Sequence, residues 1–353
     1  MELSLNFPEM LERLPCPAFV VEKGIILHAN RAAEQRQLTT GVSIIDYIAL
    51  GKEEYANFTN GELCLTLSLC DTHYSATVVN WEGAQVFYLD SDYQEPELQA
   101  FALAAQHLRE PLANAMTCAN YLMPDGDDEL QKQLALLNKN LHQLHRAICN
   151  MSDAAQYQKA RPSRVENREI GSIFNEIMEK AAQFIAMGSH KLTCTGLSKH
   201  VYTAVDAEKL ERALLNMISN AVKFAPKDSE IRASLHISGN KLYFSVENEN
   251  TNSPIKQASN IFAHYTREPG IESSKNGIGL GMSIVRKTAA AHGGTLLLEQ
   301  FENAGVRFTM TIAAEPPKGK QLRSKVLLPV DYAGGYDHTL TELSDVLPAE
   351  LYK

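Results

Sequence analysis

The sequence predicts a multidomain chain: an α+β unit, then an antiparallel helical hairpin, then an α/β sandwich. Three patterns carry this prediction. Leucines at every second position from Leu63 to Leu69 are typical of a half-buried strand. Apolar residues between positions 94 and 160 are spaced alternately by three and four, which indicates long packed helices. Beyond residue 164, amphipathic helices alternate with strands, and a glycine loop opens into a helix.

Length and net charge narrow the classes of protein to which the chain can belong. A chain of 353 residues exceeds one ordinary core, so two or three domains are expected. The formal net charge of -9 argues against nucleic acid or an anionic membrane as a partner, because both favour basic proteins. No apolar run approaches the ~20 residues that a membrane span needs, and the N-terminus lacks a basic-then-apolar signal pattern. We therefore expect a cytoplasmic protein that binds neither nucleic acid nor membrane.

The first unit, residues 9–92, has two short apolar strands, small helical segments and then three longer strands with alternating patterns. This order resembles a PAS domain, a family of sensory domains. The resemblance implies a sensory role and leaves the signal open. Haem, flavin, a small organic ligand and an empty structural fold are all compatible with it.

Residues 94–160 predict a helical hairpin with a heptad seam on each helix. The first seam contains Leu98, Phe101, Ala105, Leu108, Leu112, Ala115, Ala119 and Leu122. The second contains Leu130, Leu134, Leu137, Leu141, Leu144, Ile148, Met151 and Ala155. Two helices cover each other's seams only partly, so a homodimer with a four-helix bundle is expected. The alternative is a monomeric hairpin that packs on a neighbouring domain.

The region 164–314 contains the residues best suited to bind a nucleotide. Asn216 and Asn220 lie four residues apart on one helix face, and Lys223 follows one turn later. An amide oxygen can ligate Mg²⁺, and an ammonium group can meet a phosphate. The alternative is that both asparagines only cap or bridge neighbouring loops. Downstream, backbone amides at a helix N-terminus can approach phosphate oxygens through the glycine triplet Gly277, Gly279 and Gly281.

The order of these features resembles the GHKL-type ATP-binding domain of histidine kinases. The asparagine helix is followed by a β-hairpin, a polar segment with Phe262 and Tyr265, the glycine loop, and His292-Gly293-Gly294. By this resemblance Asn220 would bind Mg²⁺, Asn216 and Lys223 would lie by the phosphates of ATP, and the glycine loop would close the lid. Gyrase-type and chaperone ATPases share the nucleotide fold, but the heptad hairpin directly upstream favours the kinase branch.

Two positions differ from the family pattern. The carboxylate that usually accepts a hydrogen bond from the adenine amino group is replaced by Asn248. A neutral acceptor contributes about 1 kcal/mol less than a charged one, so nucleotide binding should be weakened by several-fold.

The second difference concerns the phosphoacceptor box, which the segment AQHLREPLANA resembles. Gln106 falls at the acceptor position, and its amide nitrogen is not nucleophilic. His107 follows it, turned by ~100° around the helix, and is a possible displaced acceptor. Glu110 lies one turn from His107 and is a possible base. The alternative for His107 is an ordinary surface histidine.

The resemblance implies a two-component sensor that autophosphorylates on histidine with Mg-ATP and passes the phosphate to the receiver domain of a response regulator. Gln106 and Asn248 place the autokinase activity in question. They favour an alternative from another class, a non-catalytic dimeric signalling scaffold regulated by nucleotide or by a ligand of the PAS-like domain. Residues 315–353 form an extension without a functional motif, which we expect to dock back onto the ATP-binding domain.

Overall fold

The computed structural model describes most of the chain, and the account below concerns these parts alone. The described residues are 11–12, 14, 16–70, 72–81, 83–89, 95–122, 128–156, 165–249, 281–301, 305–314 and 334–353. The segment 250–280 lies outside them, and so does most of the glycine loop. No helix within the described ranges is both long enough and apolar enough to cross a membrane.

The N-terminal unit is an antiparallel sheet with short helices, as the sequence predicts. Its elements are β1 (Ala18–Glu22), β2 (Ile25–Ala29), α1 (Arg31–Glu34), β3 (Ile48–Leu50), α2 (Lys52–Ala56), β4 (Glu62–Leu69), β5 (Thr72–Trp81) and β6 (Ala84–Leu89). The strand order is β2-β1-β6-β5-β4, and β3 pairs with β4. The leucines of β4 are buried in the core of this unit, where Phe19 and Phe87 stack with ring centroids 4.8 Å apart.

The predicted hairpin consists of α3 (Glu95–Tyr121) and α4 (Asp128–Gln156). Burial alternates along the predicted seams. Ala105, Leu112, Ala119, Leu141 and Ile148 are buried together between the two helices. The intervening seam residues Leu108, Leu122, Leu130, Leu137 and Leu144 keep between 43% and 60% of their surface exposed. Among the seam residues whose burial is described, one set therefore closes the hairpin and another remains on its surface.

The third unit packs three helices against one face of a mixed sheet. Its elements are β7 (Glu166–Glu169), α5 (Ile170–Ala186), β8 (Lys191–Thr195), β9 (Tyr202–Val205), α6 (Ala207–Phe224), β10 (Glu230–Ser238), β11 (Lys241–Glu249), α7 (Gly281–Ala291), β12 (Leu296–Gln300) and β13 (Gly305–Ala313). The main sheet runs β12-β13-β11-β10-β8, while β7 and β9 form a separate ribbon. The β-hairpin predicted after the asparagine helix is present as β10 and β11.

The sheets of the first and third units are continuous, which the sequence analysis does not anticipate. Strand β4 pairs antiparallel with β12, so that Leu63 lies opposite Leu297 and Glu62 opposite Leu298. The result is a sheet of eleven described strands. Lys241 of β11 also pairs with Glu54 of α2. Burial at this junction raises the pKa of Glu62 to about 8, so its carboxyl group is mostly protonated at pH 7.

The last described segment, residues 334–353, contains α8 (His338–Glu342) and a final 3-10 turn at Ala349–Tyr352. Leu343, Leu347 and Tyr352 pack into the core of the third unit, so the expected docking of the extension is found for this part. On its other side the segment contacts α4 of the hairpin, through bonds such as Lys139 Nζ to the Leu347 carbonyl oxygen (2.7 Å). The preceding part of the extension, residues 315–333, lies outside the described residues.

The close approach of the chains at the β4–β12 junction predicts that a methyl group added at Gly61 has a different effect from one added at Gly83. Gly61 has a φ of +91°, and a Cβ there would lie well inside contact distance of the Leu298 carbonyl oxygen. Gly83 has a similar φ of +87° with nothing within 4 Å of its Cβ position. Both Gly61→Ala and Gly83→Ala incur the left-handed strain of about 1–2 kcal/mol, but only Gly61→Ala should also separate β4 from β12.

Hydrogen exchange measures directly whether β4 and β12 separate in each variant. Amides of β12 should exchange faster in Gly61→Ala than in the parent, and remain at parental rates in Gly83→Ala. Equal protection of β12 in both variants would show that the close approach at Gly61 does not hold the sheets together.

Candidate functional site

Helix α6 carries the predicted nucleotide-binding side chains. Asp206 caps its N-terminus by accepting a hydrogen bond from the Lys209 amide (3.2 Å). The apolar face of the helix is fully buried against the sheet and its neighbours, through Leu210, Ala213, Leu214, Met217, Ile218 and Ala221. The opposite face of the helix carries a polar stripe. Its four residues, which follow one another at intervals of four, four and three positions, are Arg212, Asn216, Asn220 and Lys223. The strong periodicity of the helix therefore fixes which polar residues share a face.

His292 helps to hold the start of this helix. The Asp206 amide donates to His292 Nε2 (3.0 Å), and His292 Nδ1 donates to the Thr288 carbonyl oxygen (2.8 Å). Burial lowers the pKa of His292, which favours the neutral ring that can accept from the amide. The histidine of the predicted His-Gly-Gly motif thus positions α6.

Asn216 is completely buried, and its amide group is engaged on three sides. Its Nδ2 donates to the Arg212 carbonyl oxygen (2.8 Å) and to Glu342 Oε2 (3.0 Å). Its Oδ1 accepts from Arg146 Nη2 (3.0 Å). Both amide hydrogens are used, so this residue is committed to contacts with the hairpin and the C-terminal segment in this arrangement.

Asn220 and Lys223 are the partly exposed members of the stripe. Burial lowers the pKa of Lys223, while the nearby carboxylate of Asp345 acts in the opposite direction and the Arg146 guanidinium lowers it further. The Lys223 ammonium group also lies 5.6 Å from the centre of the Phe224 ring. Asn220 offers an amide oxygen and Lys223 a positive charge on one helix face, which agrees with the spacing argument from the sequence.

The glycine loop reaches this face through its last residue. Gly281 begins α7, and a Cβ at this position would lie 2.5 Å from Asn216 Oδ1, so a larger residue would push the two helices apart. Gly277 and Gly279 lie outside the described residues. The N-terminus of α7 is therefore next to the middle of α6, where backbone amides can favour an anion.

Asn248 lies near the end of β11 and is buried. Its Nδ2 donates to the Glu249 carbonyl oxygen (2.8 Å), which leaves the amide oxygen to accept from another group. A carboxylate here would place an oxygen against that carbonyl unless the side chain turned. The asparagine is thus suited to its local surroundings, and the change from the family's carboxylate is compatible with the fold.

The acceptor-box residues lie on α3. Gln106, His107 and Glu110 are all exposed. Access to solvent therefore does not distinguish His107 from Gln106 as an acceptor. The difference between them is chemical, because only the imidazole has a nucleophilic nitrogen.

Four charged residues at this site were missed by the sequence analysis: Arg146, Arg212, Glu342 and Asp345. Arg212 had a signal, because it lies four residues before Asn216 on the same helix face. The other three come from α4 and from the C-terminal segment, and no local pattern links them to α6. Only the folded chain brings them together.

The donor set suits the phosphates and metal of a magnesium nucleotide. A partly exposed amide, an ammonium group and a glycine-flanked helix N-terminus are the groups that such a ligand requires. Among the described residues, no three histidine, cysteine, aspartate or glutamate side chains are grouped to hold a metal ion by themselves. Mg²⁺ bound with a nucleotide commonly takes most of its ligands from phosphate and water.

Comparison with known proteins agrees with this chemistry. Residues 205–316 match the family described as histidine kinase-, DNA gyrase B-, and HSP90-like ATPase. The match spans α6, the strand hairpin, α7 and the last two strands of the sheet. It therefore covers every candidate nucleotide-binding residue that the sequence indicates.

Individual relatives extend the similarity upstream. Hybrid signal transduction histidine kinase D of Dictyostelium discoideum is 26% identical over 247 residues, which are 67% of this chain and 16% of the relative. Sensor histidine kinase WalK of Bacillus subtilis is 30% identical over 117 residues, which are 32% of this chain and 19% of the relative. This chain thus spans less than a fifth of the length of either protein.

One solved structure aligns with most of the chain. The complex of histidine kinase ThkA with response regulator protein TrrA aligns over 87% of this chain and 98% of that chain, at 17% identity and a TM-score of 0.44. The sequence matches and the polar stripe of α6 agree that residues 205–316 resemble a GHKL-type ATPase domain, and the longer stretch matched by the relatives is similar to histidine kinases.

Proposed function

We propose that this chain is a dimeric, histidine-kinase-type signalling protein that binds Mg-ATP on the polar face of α6 and phosphorylates itself slowly or not at all. The observation that carries the proposal is the stripe of Asn216, Asn220 and Lys223 beside Gly281 in a GHKL-type ATPase domain. Asn220 would hold Mg²⁺, and Lys223 would contact the phosphates. Bound ATP would supply the phosphoryl group.

Dimerisation is supported by the exposed half of the heptad seams. Leu108, Leu137 and Leu144 repeat at seam positions on the surface of the hairpin, where a monomer would leave them in water. Burial of each leucine contributes about 1.5–3 kcal/mol. A second hairpin would cover both seams and complete a four-helix bundle.

A partner and an input follow from the family resemblance. The partner would be the receiver domain of a response regulator, docking on the hairpin near the acceptor box. The N-terminal unit would sense the signal, and its sheet order β2-β1-β6-β5-β4, with the short helices between β2 and β4, supports a PAS-like fold. Its sheet pairs directly with that of the ATPase domain, which offers a physical route between input and output.

A second candidate is a non-catalytic dimeric scaffold. Gln106 at the acceptor position and Asn248 at the adenine position favour it, and so does the engagement of Asn216 by Arg146 and Glu342. In this case nucleotide or sensory ligand would alter the geometry of the hairpin for a partner. The two candidates differ in whether phosphate is ever transferred to the chain.

Nucleotide binding should depend on the exposed part of the stripe. Lys223→Ala should weaken the binding of AMPPNP with Mg²⁺ by roughly tenfold or more, because a charge-assisted contact of about 1.5–3 kcal/mol is lost. Asn220→Ala should reduce the magnesium dependence of binding. Calorimetry measures both, with the exposed Lys199→Ala as the control that keeps parental affinity. Equal affinity in all variants would exclude α6 as the phosphate-binding face.

The dimer should depend on seam leucines and not on other exposed leucines. Light scattering of the parent should give twice the 39.1 kDa chain mass. The double change Leu137→Glu with Leu144→Glu should give monomers, because two charges would be buried at the seam. Leu103 and Leu136 are 56% and 52% exposed but lie off the seam, so Leu103→Glu with Leu136→Glu should remain dimeric. Dimers of both variants would place the interface elsewhere.

Phosphorylation should be limited by the acceptor position. Incubation with γ-labelled ATP should label the parent slowly or not at all, and any label should disappear in His107→Ala. Gln106→His with His107→Glu restores the usual acceptor and its acidic neighbour, so this variant should incorporate acid-labile phosphate faster than the parent. Efficient labelling of the parent at His107 would contradict slow catalysis. No label in the rebuilt variant, with nucleotide still bound, would favour the scaffold.

A further inference from the structure

The C-terminal segment 334–353 lies between the hairpin and the ATPase domain. On the hairpin side, one face of α4 bonds to it at successive turns. Asn138 Nδ2 donates to the Tyr352 carbonyl oxygen (3.0 Å), and Gln143 Nε2 donates to the Ser344 carbonyl oxygen (3.2 Å). On the ATPase side, Lys180 of α5 pairs with Asp337 (2.7 Å). The segment therefore contacts both domains with specific bonds.

Glu342 is the centre of these contacts. Its side chain is fully buried and accepts from Arg212 Nε (3.1 Å), Arg146 Nε (3.2 Å) and Asn216 Nδ2 (3.0 Å). Two guanidinium groups and an amide around one carboxylate form an anion-binding site. Two of the three groups belong to the polar stripe of α6.

A second carboxylate extends along the same stripe. Asp345 Oδ2 accepts from Arg146 Nη1 (2.7 Å), and its charge acts on the ammonium group of Lys223. Glu342 and Asp345 thus place negative charge against Asn216 and Lys223, the two residues expected beside the nucleotide phosphates. They are three residues apart in the sequence, so both project from one turn of the segment.

Carboxylate and phosphate groups are recognised by the same donors. Arginine forks, lysine ammonium groups and amide hydrogens bind either anion. A donor that is fully used by a buried carboxylate cannot bind a phosphate at the same time. Asn216 has no amide hydrogen left for a phosphate in this arrangement, because one is donated to Glu342 and the other to the Arg212 carbonyl oxygen.

We infer that the C-terminal segment is an internal anionic ligand of the α6 stripe, whose Glu342 and Asp345 compete with the phosphates of a nucleotide for Asn216, Lys223 and the arginines. The inference rests on the proposed nucleotide binding. It adds an anion-binding site, formed by side chains of α4 and α6, that binds either a carboxylate of this chain or a phosphate. Linkage requires the competition to be reciprocal: nucleotide displaces the segment, and release of the segment tightens nucleotide binding.

Charge removal tests the competition in the full-length chain. Glu342→Gln with Asp345→Asn keeps the shape of both side chains and weakens their bonds to the arginines. We expect the affinity for AMPPNP with Mg²⁺, measured by calorimetry, to rise by about tenfold, within the roughly 5- to 150-fold range usual for coupled sites. Glu350→Gln is the matched control, because Glu350 is an exposed carboxylate of the same segment, and it should keep parental affinity.

A second variant covers the case in which Glu342→Gln with Asp345→Asn fails to fold. Lys139→Ala with Gln143→Ala removes two bonds to the segment from the hairpin side without changing α6 or the two carboxylates. It should also tighten nucleotide binding. Hydrogen exchange gives an independent readout, since amides of residues 338–347 should exchange faster in this variant, and in the parent when AMPPNP with Mg²⁺ is added.

The outcomes separate this inference from the proposed function. Parental affinity in Lys139→Ala with Gln143→Ala, despite faster exchange of the segment, would overturn the competition and leave nucleotide binding intact. Unchanged exchange of the segment when the parent is saturated with nucleotide would do the same. Absence of nucleotide binding in every folded variant, including those with a released segment, would overturn the nucleotide-binding proposal and the inference with it.

Discussion

The buried carboxylate of Glu342 is the interaction on which the arrangement of hairpin, ATPase domain and C-terminal segment depends. A charge removed from water is tolerated only when opposite charges and hydrogen bonds surround it. Arg146 supplies one such group from α4, and Arg212 and Asn216 supply the others from α6. Removal of one partner of a buried pair costs about 3–5 kcal/mol. The three segments are therefore held together by one network.

The sheet junction is a second constraint of a different kind. Strands β4 and β12 pair through backbone hydrogen bonds, and Gly61 allows their chains to approach closely. Such pairing depends on backbone geometry and little on side-chain identity. The N-terminal unit is thereby attached to the β12 edge of the sheet of the ATPase domain, while Glu342 contacts its helix α6. The ATPase domain takes part in both contacts, the β4–β12 pairing and the Glu342 network. A change at either contact therefore affects the core of this one domain.

Neutral side chains at Gln106 and Asn248 have different consequences. At the proposed acceptor position Gln106 has no nucleophilic nitrogen, and no rearrangement of the helix supplies one. Asn248 retains an oxygen that can accept a hydrogen bond, and its nitrogen is bonded to the Glu249 carbonyl oxygen. Loss of a reactive atom affects chemistry, whereas loss of a charge affects affinity by about tenfold or less. The proposed nucleotide binding is therefore compatible with the proposed loss of catalysis.

The sequence by itself determined the elements and the polar stripe. Alternating leucines predicted β4, heptads predicted α3 and α4, and the spacing of Asn216, Asn220 and Lys223 placed them on one helix face, since periods of 2 and 3.6 are local properties of the chain. Only the tertiary structure decided which groups meet that face. Arg146, Glu342 and Asp345 reach it from distant segments, and β4 meets β12 through backbone groups that carry no sequence signal. Such contacts depend on how whole elements pack, so no local period could have revealed them.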